Sequence, residues 1–124
     1  MALGLTASLF ASLAACQADP PEPTETKAAR RPPQPACDQA RAELVRRQGN
    51  GTFLFEDSGE AMTDRRSWMR LDQSGRDEII EKLAVLAACS AEAPQSEVEV
   101  TIRDEGGVVL DSRRVEPSTD FRAR

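Results

Sequence analysis

The 124-residue chain has no histidine and no tyrosine, a single tryptophan, three cysteines, and only two lysines beside fourteen arginines. Without histidine it lacks the commonest general base near neutral pH and the commonest zinc ligand, which lowers the standing of most hydrolytic and zinc-dependent classes. Its 16 basic residues are outnumbered by 21 acidic ones, for a net charge of −5 and a pI near 4.8. Such a balance offers no basic face to displace counterions from phosphates, so nucleic acid is not an expected partner. No apolar run reaches the about 20 residues that a membrane-spanning helix needs. At this length the chain holds one modest domain.

What is present begins with residues 1–15, MALGLTASLFASLAA, which carry no charge and in which no Lys or Arg precedes the apolar run. An export signal needs an apolar core of roughly 7 to 15 residues followed by small side chains at the cut, and this segment has both. At the boundary stand Leu13, Ala14, Ala15 and Cys16, which resemble at all four positions the lipobox of bacterial lipoproteins, Leu-(Ala/Ser)-(Gly/Ala)-Cys. The resemblance implies that the Cys16 thiol receives a diacylglyceryl group through a thioether. It also implies that the lipoprotein signal peptidase cuts before Cys16, and that the new amine can be acylated with palmitate or a similar chain. Several acyl chains hold a polar domain where a single chain is marginal. Gln17 stands where family members retained in the inner membrane carry Asp, so the resemblance favours the outer membrane. The other reading is a general secretory signal cut after Ala14 or Ala15, which leaves a soluble periplasmic protein with a free Cys16 thiol.

Composition then shifts. Residues 16–35 hold the candidate lipid-bearing Cys16 and six of the eight prolines, without one Leu, Ile, Val or Phe after Cys16. Nothing there can form a core, and proline favours an extended spacer, about 60 Å long at ~3.1 Å per residue.

Residues 36–121 read as a small domain, with 122–124 as a tail. Pro35 before the stretch, Arg46 and Arg47 at its end and Gly49 after it predict a first helix over 36–48, with Cys37, Ala40 and Leu44 on one face. TFLFE at 52–56 predicts a strand with Phe53 and Phe55 on its core side. Residues 60–70 read mostly as loop, with a brief extended piece starting at Trp68. Asp72 or Ser74 can cap a second helix over 74–91, whose Ile79, Ile80, Leu83, Leu86 and Ala87 form its apolar face. EVEVTIR at 97–103 alternates, Glu105-Gly106-Gly107 supplies a hairpin loop, and a return strand over 108–115 pairs Ile102 with Leu110, Val100 with Ser112 and Glu99 with Arg113. The expected fold is therefore α+β and two-layered: two helices on a three-stranded, mainly antiparallel sheet, in the order α-β-α-β-β.

With Cys16 assigned to lipid, Cys37 and Cys89 remain, an even pair in an exported domain, and a disulfide between them is the economical reading. Two buried free thiols are the alternative. Two distant cysteines without histidine supply no metal set, so no metal is expected. The chain has no Cys-x-x-Cys either, and Ser58 and Ser90 have no base beside them, so no catalytic residue is assigned. Glu56, Asp57, Glu60 and Asp64 crowd one loop. Paired carboxylates can act on glycosidic bonds when buried, but a solvated acidic loop is the plainer reading. Arg65, Arg66 and Arg70 flank Trp68 and could grip an anionic partner, with the indole supplying contact area; a core role for Trp68 is the plainer reading in a domain so poor in aromatics.

The function expected from these residues is that of a non-enzymatic envelope lipoprotein. Its domain would face the periplasm and bind or brace an envelope protein or cell-wall component, with no cofactor beyond the lipid on Cys16. The competing class is an enzyme or inhibitor module acting on cell-wall polymers through the acidic loop.

Overall fold

The computed structural model describes residues 29–49 and 52–118. The export segment, Cys16 and its lipobox, most of the Pro-rich stretch and residues 119–124 lie outside the described residues.

Helix α1 (Gln34–Gln48) starts two residues earlier than its sequence signals suggest. Pro33 holds the cap position in an extended conformation (φ −66°, ψ 151°), and Pro35 sits in the first turn, where a missing N–H costs nothing. The helix ends at Gly49, whose N–H reaches the Val45 and Arg46 carbonyls at 3.3 and 3.2 Å. Cys37, Ala40 and Leu44 are its buried face, as the spacing predicts. The chain entering α1 is docked: Pro32 is buried, and the Arg31 guanidinium donates to the Ala91 and Glu92 carbonyls at 2.8 and 3.1 Å.

Strand β1 (Phe53–Phe55) turns at Gly59 into β2 (Glu60–Thr63), pairing Phe53 with Thr63, Leu54 with Met62 and Phe55 with Ala61. A short helix, α2 (Arg65–Arg70), follows, and then α3 (Gln73–Ser90). The expectation of a loop over 60–70 is thus corrected to a strand and a helix. The inward residues of β2 are Ala61 and Thr63, too small or too polar to mark a strand by hydrophobic alternation. For α2 the order comes from its ends and its one core residue: the Asp64 carboxylate accepts from the Arg66 and Ser67 N–H groups, and Trp68 is buried. Of the two candidate caps for α3, Asp72 takes the role, accepting the Gly75 N–H at 2.7 Å.

Strands β3 (Val98–Arg103) and β4 (Val109–Val115) complete a four-stranded sheet in the order β1-β2-β3-β4. The class is α+β as expected, with three helices and four strands instead of two and three. The β2–β3 pair is parallel, since α2 and α3 carry the chain back between those strands. Helices α1 and α3 pack on each other and on one sheet face. From α3, Ile79, Ile80 and Leu83 through Ala88 join Leu44, Phe53, Trp68, Val100 and Ile102 in a single core.

The β3–β4 register departs from the expected one beyond its first pair. Arg103 lies opposite Val109, as counting outward from the hairpin loop requires. Past an irregularity between Ile102 and Arg103, however, Ile102 faces Asp111, Val100 faces Arg113 and Glu99 faces Arg114. One extra residue in β4 shifts every later pair by one and exchanges the faces of the strand. Asp111 and Arg113 therefore lie on the helix side and Ser112 on the other.

Among the described residues, two glycines adopt positive φ. Gly107 (φ 86°) serves the β3–β4 hairpin, as its sequence predicts. Gly59 (φ 94°) sits where the β1–β2 turn meets β3: its carbonyl accepts the Thr101 N–H at 3.0 Å, and a Cβ there would lie 2.7 Å from the Glu99 carbonyl oxygen.

Candidate functional site

Cys37 in the first turn of α1 and Cys89 in the last turn of α3 form a disulfide, with Cα atoms 6.1 Å apart and a sequence separation of 52. The pairing follows from the antiparallel packing of the two helices, which also brings Lys82 of α3 within 3.4 Å of Glu43 of α1. The bond lies beside the docked Arg31–Pro32 entry, so cross-link and entry sit at the same pole of the domain.

The four acids of the 56–64 loop are drawn apart. Asp57 turns to α1, where both of its oxygens accept from the Arg41 guanidinium at 3.0 Å, a bidentate pair that also raises the arginine's pKa. Asp64 is absorbed as the α2 cap; its bond from the Ser67 hydroxyl, helped by the Arg66 and Ser67 N–H groups, holds its carboxyl below the usual carboxylate range. Glu56 and Glu60 stay exposed and are joined through their backbones, Glu56 N–H to Glu60 carbonyl at 2.9 Å. An acid–base pair needs two converging, desolvated carboxylates, and this loop supplies two structural anchors and two surface side chains.

Among the arginines near Trp68, Arg65, Arg66 and Arg70 are exposed, while Trp68 itself is only 2% exposed and belongs to the core. The indole is therefore not contact area for a partner. It fixes α2 from below, and Arg76 of α3 holds the other side. The Arg76 guanidinium carbon lies 6.0 Å from the Trp68 ring centroid, and the side chain donates to the Trp68 and Met69 carbonyls at 3.2 and 3.3 Å. What α2 presents outward is its three arginines and Met69, 59% exposed.

One surface feature was not legible beforehand. Leu54 and Met62, directly opposite each other across β1–β2, stand on the sheet face away from the helices, 55% and 36% exposed. Leu54 was visible in sequence as the outward residue between two core phenylalanines; Met62 lay in the stretch without readable period. Among the described residues no three cysteine, aspartate and glutamate side chains gather as a metal site. Comparison with family models, with curated proteins and with solved structures gives no match to this chain.

Proposed function

We propose that this chain is a bacterial envelope lipoprotein: lipidated on Cys16, spaced from the membrane by the Pro-rich stretch, and acting without catalysis by binding an envelope protein or cell-wall component. The observation that carries the reading is the full match of Leu13-Ala14-Ala15-Cys16 to a lipobox directly after an uncharged apolar run. Two further features support it. The remaining two cysteines form a disulfide, the state that oxidising compartments outside the cytosol favour. Two of the four acids that crowd the 56–64 loop, Asp57 and Asp64, are engaged in structural bonds. The exposed Arg65, Arg66 and Arg70 of α2 are the candidate contact for an anionic component.

The test is Cys16→Ser in cells fed a labelled fatty acid. The parent chain incorporates label, loses residues 1–15 and sediments with outer membranes. The variant carries no label, persists as precursor and leaves that fraction. If variant and parent mature and fractionate alike, Cys16 is not a lipid anchor.

A further inference from the structure

The sheet face away from the helices contains a depression of about 370 Å³ at the ends of β1, β2 and β3. Leu54 and Met62, with Phe55 and Ala61, form its apolar part; Glu56, Glu60, Asp104 and Glu105 are the carboxylates around it, and Arg103 is the one cation among the described residues that line it. Directly opposed side chains on antiparallel strands act as a unit, so Leu54 and Met62 make one apolar step rather than two scattered exposed residues. Asp104 is fixed in place, its Oδ1 accepting the Gly106 and Val108 N–H groups, each at 2.9 Å. Four carboxylates against one guanidinium around a concave surface create a local field that favours cations. The depression also adjoins an edge: among the described residues, β1 has only β2 beside it in the sheet. An extended peptide places residues two apart on one face, so a cation-x-aliphatic-x-cation spacing sets an aliphatic group between flanking cations.

We infer that this depression binds an extended cationic peptide in which an aliphatic residue has Lys or Arg two positions before it and two after. The aliphatic side chain packs on Leu54 and Met62. The two cations on the same face of the peptide meet Glu56 and Glu60 on one side and Asp104 and Glu105 on the other. The inference stands apart from the lipid on Cys16, since it uses only side chains of the folded domain.

The full chain in a neutral sugar-headgroup detergent is mixed with a synthetic Lys-Ser-Leu-Ser-Lys-Ser-Leu-Ser-Lys peptide bearing a photoreactive benzophenone. Affinity is read by anisotropy, and the cross-link is mapped by mass spectrometry. Cross-links are expected on β1, β2 and the 104–107 loop. Leu54→Ser should weaken binding about tenfold, the loss expected when one well-buried aliphatic contact is removed. The double change Glu56→Gln, Glu60→Gln should weaken it and flatten its salt dependence. Both sites are on the surface, and circular dichroism checks each fold. If Leu54→Ser does not fold, the glutamate pair decides. Equal binding of a Glu-Ser-Leu-Ser-Glu-Ser-Leu-Ser-Glu peptide, cross-links confined to the helices, dimerisation of the chain through this face that Leu54→Ser abolishes, or no binding at all would each overturn the inference.

Discussion

The guanidinium of Arg113, on the edge strand β4, reaches the carboxylate of Asp77 in α3 at 2.6 Å and so fastens the last strand to the helix layer. The same side chain also grips Asp111 of its own strand, at 3.1 and 2.8 Å. Its pKa is raised, first by the Asp111 bond and next by Asp77. Charged groups on the inner side of an edge strand also discourage it from pairing with another chain. This arrangement exists only because the extra residue in β4 brings Asp111 and Arg113 to the helix side.

Arg113→Met should therefore lower stability by about 1 kcal/mol, the upper part of the range for partly exposed ion pairs. Denaturant unfolding reads the loss. Asp77 adds a pH dependence. Its bonds from Arg113 and then Gln73 hold its folded pKa below the ordinary value, and Asp64 is depressed likewise by Ser67. A depressed folded pKa means stability that is complete above the unfolded value, about 3.9, and is lost as pH falls through the folded one. The chain should lose stability progressively below about pH 4, and Asp77→Asn should make that acid slope shallower. An unchanged slope in the variant would show that Asp77 does not contribute.

Reduction of Cys37–Cys89 should remove about 4 kcal/mol, from the loop of 52 positions that the bond closes in the unfolded chain. For a domain this small that is most of the net stability. Urea unfolding of the oxidised chain, of the reduced chain and of Cys37→Ser measures it, and coincident midpoints would deny the bond any stabilising role.

The two positive-φ glycines should respond differently. Gly59→Ala places a Cβ 2.7 Å from the Glu99 carbonyl oxygen and 3.3 Å from the Ala87 Cβ, so strain adds to steric clash and the cost should reach about 3 kcal/mol. Gly107→Ala meets nothing within 4 Å and carries only the backbone penalty, about 1 kcal/mol. Thermal midpoints of the two variants should rank in that order.

Trp68→Ala should cost about 3–5 kcal/mol, as for other fully buried aromatic side chains. Native Trp68 fluorescence should be blue-shifted and poorly quenched by iodide. Arg65→Ser, Arg66→Ser and Arg70→Ser together should leave the midpoint nearly unchanged and lower retention on anionic envelope polymers. Iodide access to native Trp68 would contradict its core position.

Helices α1 and α3 were legible because each carries its own signals: Pro35 in the first turn of one, Asp72 before the other, and apolar residues at spacings of three and four on both. The face of β1 was legible because Phe53 and Phe55 are large and alternate. The β3–β4 hairpin was legible as far as its loop, where glycine is needed; its register was not, because the β-irregularity near Leu110 leaves no mark in a sequence whose strands alternate well either way. At the candidate surface, both the three arginines and a core place for Trp68 could be named in advance, but the short helix that sets the arginines over the indole could not.

By itself, the order of residues determined the features that depend on near neighbours: an apolar run ending in Leu13-Ala14-Ala15-Cys16, six prolines gathered in residues 16–35, the helical stripes and the glycine loop. Tertiary structure alone decided the features that depend on distant groups meeting. It made Ala61 and Thr63 part of a strand by giving them β1 and β3 as partners, and it spent Asp57 on Arg41. It also set Leu54 and Met62 side by side on an open face. The reason is that a short polar segment gains its conformation from what covers it and pairs with it, and those contacts cross most of the chain.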